Sequence, residues 1–166
     1  MTTLPPPSKK KLGLVIDLDT CVGCQACATS CKEWNTQSAI SGPLNDEDPY
    51  GADPHGTWLN RVHSYEVGEG ETGRTVHFPR SCLHCEEPAC VTVCPDRIYN
   101  ETFAPEDRVP ACVKACPTGA RHFGDLGDVD SAVSKLVASR DGYDLLPEMG
   151  YKPVNKYLAP RPKAAP

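Results

Sequence analysis

The spacing of its cysteines constrains this chain more than any other feature. Ten cysteines occur in 166 residues, and four of them stand as Cys21-x2-Cys24-x2-Cys27-x3-Cys31. A cubane iron–sulfur cluster needs four thiolates directed at the corners of one small object. Three cysteines at three-residue intervals in a tight loop wrap one face of it, while the fourth, one turn into a helix, points towards a different cluster. Gly23 lets the backbone pass where a Cβ would crowd the inorganic sulfides. Zinc is built from ligand pairs and has no use for a third cysteine at the same interval. A second group, Cys82-x2-Cys85-x4-Cys90-x3-Cys94-Pro95, follows the same logic with two extra residues before its third ligand. A third, Cys112-x3-Cys116-Pro117, is the tail end of such a motif with no CxxC just upstream.

Composition agrees with metal-assisted folding. The hydrophobic fraction of 39% includes the cysteines, so the aliphatic and aromatic core is thin. With 13 glycines and 17 prolines, turns dominate over long elements. Bound clusters would supply the missing cross-links, because ligation free energy is folding free energy. A net charge of −5 argues against a nucleic-acid surface. No apolar run approaches the roughly 20 residues that cross a bilayer, and Met1–Lys11 lacks both the apolar stretch of a secretory signal and a twin-arginine pair. Without a signal, a reducing compartment and metal ligation explain the cysteines better than disulfides. The expected location is cytoplasmic, with export on a signal-bearing partner as the one alternative route.

Along the chain, residues 1–11 read as a disordered lead and 12–142 as the iron–sulfur domain. Leu12–Asp19 alternates as a strand that runs into Cys21, and Ala26–Trp34 forms a short helix around Cys27 and Cys31. Residues 36–58 are rich in Pro, Gly, Asp and Asn and read as a surface insertion. Arg61–Val67 and Thr75–Phe78 flank Gly68–Gly73 as a β-hairpin. A late helix is capped by Asp130, presents Val129, Ala132, Val133, Leu136 and Val137 on one face, and stops at Gly142. The proline-studded segment 143–166 reads as an extended tail that docks on a partner rather than on its own chain.

Three stretches carry a resemblance: Cys21-Val-Gly-Cys-Gln-Ala-Cys27 through Lys32-Glu-Trp-Asn35, then Arg80-Ser-Cys-Leu-His-Cys-Glu-Glu-Pro-Ala-Cys90, then Pro110-Ala-Cys-Val-Lys-Ala-Cys-Pro-Thr-Gly-Ala-Arg121. With Phe123-Gly-Asp125, they resemble the iron–sulfur subunits of the membrane-associated molybdopterin oxidoreductases. That group includes the electron-transfer subunits of dimethyl sulfoxide, polysulfide and thiosulfate reductases and of quinone-linked sulfite dehydrogenase. The ending Tyr151-Lys-Pro-Val-Asn-Lys-Tyr157-Leu looks most like the sulfite dehydrogenase branch. The resemblance implies an α+β, bacterial-ferredoxin-like dicluster fold with a hairpin insertion. It also implies a non-catalytic subunit at the inner membrane, relaying electrons between a molybdopterin catalytic subunit and a quinone-reactive membrane anchor. No nucleic-acid partner and no membrane-spanning segment of its own are expected.

Such subunits carry four cysteine groups, and this chain lacks the third and the opening CxxC of the fourth. Cys94-Pro95 continues at Asp96-Arg-Ile-Tyr, which resembles the segment after that CxxC, so an internal segment is expected to be missing near 95/96. The family's pairing would put Cys21, Cys24, Cys27 and Cys116 on one [4Fe–4S] cluster and leave Cys31 and Cys112 as half of another site. Cys82, Cys85 and Cys90 would have three ligands, enough for a [3Fe–4S] cluster, with Cys94 an orphan. The alternative is a simple two-cluster ferredoxin, with Cys94 joining Cys21, Cys24 and Cys27, and Cys31 joining Cys82, Cys85 and Cys90. One or two clusters are therefore expected, and a free ferredoxin or a zinc-binding structural module are the rival readings.

Among other residues, His84 sits inside the second cysteine group, where it is as suited to tuning a cluster as to an ordinary loop. His55, His63, His77 and His122 have no ligand spacing and read as structural. Asp17, Asp19, Asp125 and Asp128 suit caps and turns. Lys114 and Arg121 are placed to raise the potential of a nearby cluster by their charge.

Overall fold

A computed structural model describes residues 10–34, 58–86 and 109–162. Strand β1, Leu12–Asp17, is the centre of a three-stranded sheet in the order β4-β1-β5. It pairs antiparallel with β4, Arg121–Asp125, from Leu12 opposite Asp125 to Ile16 opposite Arg121. On its other edge β5, Lys156–Leu158, runs parallel, with Val15 opposite Lys156 and Asp17 opposite Leu158. Strands β2, Asn60–Val67, and β3, Arg74–Ser81, form a separate antiparallel hairpin. Helices α1 (Ala26–Trp34), α2 (Ala111–Lys114) and α3 (Ala132–Ser139) complete the regular structure. The arrangement is α+β with small sheets.

The two faces of β1 explain its burial. Side chains alternate across a strand, and here both sides are covered. Val15 packs with Val133, Leu158, Leu136 and Val137 beneath α3. Leu14 and Ile16 face the opposite way, into a cluster with Leu18, Cys27, Cys112 and Tyr157. Phe78 of the hairpin stacks on Tyr157 with ring centroids 5.0 Å apart, so the hairpin is fastened to the same cluster. Cys27 and Cys112 thus lie inside the apolar core, and Cys31 packs against it.

Element boundaries follow local chemistry. Helix α1 has the predicted span. The hairpin runs longer than expected, because Pro79 is accommodated within β3 and the pairing continues to Ser81 opposite Asn60. Helix α3 begins later than the apolar pattern suggests. Ser131, not Asp130, is its N-cap, with Oγ accepting from Ser134 N at 3.2 Å. Asp130 N is engaged in a turn on Asp128 Oδ1 at 2.9 Å, which leaves Val129 81% exposed. The helix stops in a Schellman-type turn: Asp141 takes φ +48°, and Gly142 N donates to Val137 O at 2.9 Å.

The largest difference lies at the C-terminal end. The segment from Tyr143 is expected to lie on a partner, yet Asn155, Tyr157 and Leu158 are fully buried in their own chain. Tyr157 Oη donates to Pro79 O at 2.9 Å. Strand β5 supplies the edge that β1 would otherwise leave unpaired, which is reason enough for a short, proline-flanked segment to fold inward. The insertion 36–58, apart from Trp58, lies outside the described residues, as does the expected junction near 95/96.

Candidate iron–sulfur site

The first cysteine loop is shaped at Gly23. Its φ of +69° lies in the left-handed region, and a Cβ there would meet His77 Nδ1 at 2.5 Å. The loop therefore presses against the imidazole of β3, which is held by a hydrogen bond between Nδ1 and Ser64 Oγ at 2.9 Å. Gln25 secures the other side, its Nε2 donating to Val62 O at 3.2 Å and its carbonyl accepting from Ala28 N and Thr29 N at the start of α1. His77, read from sequence as merely structural, thus supports the cysteine loop. Nothing local in the sequence reveals this, because the contact is made across two distant elements.

This loop meets the last cysteine group. Cys21, Cys24, Cys27 and Cys116 line one cavity, closed by Val62, Pro79, Ala120 and Arg121. Helix α2 and the turn after it deliver Cys116, and β4 pairs with β1 so that the end of one motif stands beside the start of the other. Burial pushes the Cys21 thiol up, and the charges of Cys27 and Cys116 add to that effect, against the backbone N–H of Gly23 and the guanidinium of Arg121. At Cys116 burial also acts upward, but the Thr118 hydroxyl and the backbone N–H groups of Ala120, Thr118 and Arg121 outweigh it and hold the thiol below its ordinary value. N–H and O–H donors converging on sulfur suit a thiolate ligand.

A second pair lies close by. Cys31 of α1 and Cys112 of α2 pack against the same apolar cluster. Burial pushes the Cys31 thiol up to about 11, with the charge of Cys112 next in importance and smaller contributions from Cys27 and Cys82. Burial likewise raises Cys112, opposed by Arg121, whose Nη1 donates to Cys112 Sγ at 3.4 Å. Cys82 is exposed and Cys85 half-buried. Their loop is held on the C-terminal segment by Asn155 N donating to Leu83 O at 3.2 Å and Glu86 N donating to Lys152 O at 3.1 Å. Cys90 and Cys94 lie outside the described residues.

The donor set fits an iron–sulfur cluster. Four thiols line one cavity, and the Nε of Arg121, buried in its wall, has no partner among the described residues. Among those residues no three Cys, His, Asp or Glu side chains close around the position of a single metal ion. No helix among the described residues is long and apolar enough to cross a membrane.

No family model matches the sequence. The chain is 44% identical over 202 positions to a sulfite dehydrogenase subunit of Allochromatium vinosum, a match that covers 91% of this chain and 84% of that protein. It is 31% identical to a putative dimethyl sulfoxide reductase iron–sulfur subunit of Halobacterium salinarum, over 88% of this chain and 78% of that one. It is 26% identical to the formate dehydrogenase-O iron–sulfur subunit of Escherichia coli, over 82% of this chain and 61% of that one. In the Allochromatium alignment, 91% of a 166-residue chain supplies only about 151 of the 202 aligned positions, so about fifty positions have no counterpart here.

Proposed function

Because the chain belongs to the iron–sulfur electron-transfer subunits of the molybdopterin oxidoreductases, we propose that it relays electrons between a sulfite dehydrogenase catalytic subunit and a quinone-reactive membrane anchor. The observation that carries this reading is the convergence of Cys21, Cys24, Cys27 and Cys116 on one cavity. The chain would hold one [4Fe–4S] cluster there, as the family pairing implies. A re-paired two-cluster ferredoxin would need Cys94 in the place that Cys116 takes, so the convergence favours the family arrangement.

The bound cluster supplies one-electron redox chemistry, and the chain supplies position, burial and hydrogen bonding. Cys116 receives N–H donors, Gly23 admits the loop, and Val62, Pro79 and Ala120 line the cavity beside the thiols, of which Cys27 is buried. Cys31 and Cys112 are half of a second site, and Cys82, Cys85 and Cys90 are three ligands of another. A missing segment near 95/96 accounts for both deficits, and the excess of about fifty aligned positions in the Allochromatium protein supports it. The protein itself is non-catalytic and sits at the cytoplasmic side of the inner membrane through its partners, with export alongside a signal-bearing partner as the alternative.

The test is anaerobic reduction in a mixture. The cluster-loaded chain is combined with the molybdopterin subunit of a sulfite dehydrogenase, and absorption is followed after sulfite is added. Bleaching that needs both the subunit and sulfite is expected. A chain that bleaches with dithionite yet never with sulfite and the subunit would overturn the assignment.

A further inference from the structure

Arg121 is a buried cation that pairs with no carboxylate among the described residues. It is 4% exposed, at the first residue of β4. Its Nη1 donates to Cys112 Sγ at 3.4 Å, and its Nη2 donates to Asn60 Oδ1 at 2.9 Å and to Ser81 Oγ at 2.7 Å. Nε is buried and has no partner among the described residues. A guanidinium stays protonated in proteins, and a buried charge is heavily penalised unless an opposite charge answers it. Elsewhere the fold obeys that rule: Arg140, also largely buried, is paired with Asp17 at 3.1 Å.

What Arg121 has in place of a carboxylate is sulfur. It touches Cys112 and forms part of the cavity wall that Cys21, Cys24, Cys27 and Cys116 share. A cubane held by four thiolates is a net anion, and accepting one electron makes it more negative by one unit. Asn60 of β2 and Ser81 of β3 hold the guanidinium through Nη2, so it need not reorganise as that charge changes.

We propose that Arg121 is the built-in counter-ion of the cluster held by Cys21, Cys24, Cys27 and Cys116, and that its charge raises that cluster's reduction potential. This rests on the cluster assignment above. Arg121 is a positioning residue and not a ligand. In the step it favours, the cluster gains one electron from the upstream redox partner, or from dithionite in the test. No bond is made or broken and no proton is required. The added negative charge is stabilised by the nearby guanidinium in a site of low dielectric. Because Nη1 also meets Cys112, the same charge lies beside both the set of four cysteines and the Cys31–Cys112 pair.

The test is a potentiometric titration of the full, cluster-loaded chain followed by EPR, with iron measured on each sample. Asn60→Asp is the most informative variant. It is isosteric, its Oδ1 already accepts from Arg121, and the amide nitrogen it removes is buried without a partner among the described residues. It should neutralise the guanidinium without dismantling the site. Asn60→Asp and Arg121→Gln are expected to lower the one-electron equilibrium constant at least tenfold, about 59 mV, and Arg121→Lys to recover part of that shift. An unchanged midpoint in Asn60→Asp at full iron content overturns the proposal. If Asn60→Asp and Arg121→Gln both lose iron while Arg121→Lys keeps it, the need for the charge is upheld. Loss in all three makes Arg121 a folding residue only and overturns the proposal. A wild-type chain that binds no iron instead defeats the cluster assignment, a separate result.

Discussion

Asn155 donates its side-chain amide to the carbonyl oxygen of Cys82 at 2.7 Å, which holds the second cysteine loop on the C-terminal segment. The other end of the same carboxamide accepts from Leu14 N at 2.8 Å, on the central strand. Asn155 is fully buried, so truncation leaves Leu14 N without its side-chain acceptor in the core and takes the Asn155 amide from Cys82 O. Asn155→Ala is expected to destabilise the protein by about 2–3 kcal/mol. Denaturant melts of wild type and variant check this, and a change below about 0.5 kcal/mol would refute the clamp.

Gly23 predicts a two-part effect. Gly23→Ala forces a Cβ to within 2.5 Å of the His77 ring and places alanine at φ +69°. The left-handed conformation alone costs roughly 1–2 kcal/mol. Adding His77→Ala should relieve the collision and leave the conformational cost. Stability and iron content of the single and double variants separate the two. A double variant no better than Gly23→Ala alone would show that the imidazole does not limit the loop.

The two cysteines of the last group should behave differently. Cys116 lines the cavity with the first loop, whereas Cys112 stands with Cys31. Cys116→Ser is expected to convert the four-iron cluster to a three-iron one or to lose it, removing about one iron or more per chain. Cys112→Ser should leave that cluster's EPR signal in place. The reverse pattern would mean that the pairing is wrong.

Asp125 gives a pH prediction away from the cysteines. The backbone N–H groups of Lys11 and Gly127 both donate to its Oδ1, at 2.9 and 2.8 Å, and hold its carboxyl below the ordinary value of 3.8. The folded value is the depressed one. The turn's contribution is therefore complete above the unfolded value and is lost as pH falls through the folded one. Carbon-labelled aspartate titrated by NMR should show the Asp125 midpoint below 3.8. A midpoint at or above that value would remove the two backbone donors from the account.

How far these features are readable from sequence depends on how local their causes are. Helix α1 and the hairpin are legible, because cysteine spacing, β-branched alternation and the glycine-rich turn all act over a few residues. The start of α3 is displaced by Ser131, which competes as a cap once Asp128 has captured Asp130 N. Strand β5 has no signature of its own. At three residues it is too short to show a period, and it exists only because β1 offers an unpaired edge far away in sequence. The meeting of Cys116 with the first loop is implied by family resemblance, not by spacing. Arg121 stands out in the sequence for its charge, but its hold on Asn60, Ser81 and Cys112 joins three strands and a helix, and no window of sequence contains it.

The central claim is tested most directly by iron and acid-labile sulfide per chain in anaerobically purified protein, with EPR of the dithionite-reduced form. At least one complete cluster, about four irons with matching sulfide and a signal on reduction, is predicted by the four thiols around the cavity. Zero iron, or zinc with no sulfide, would contradict it.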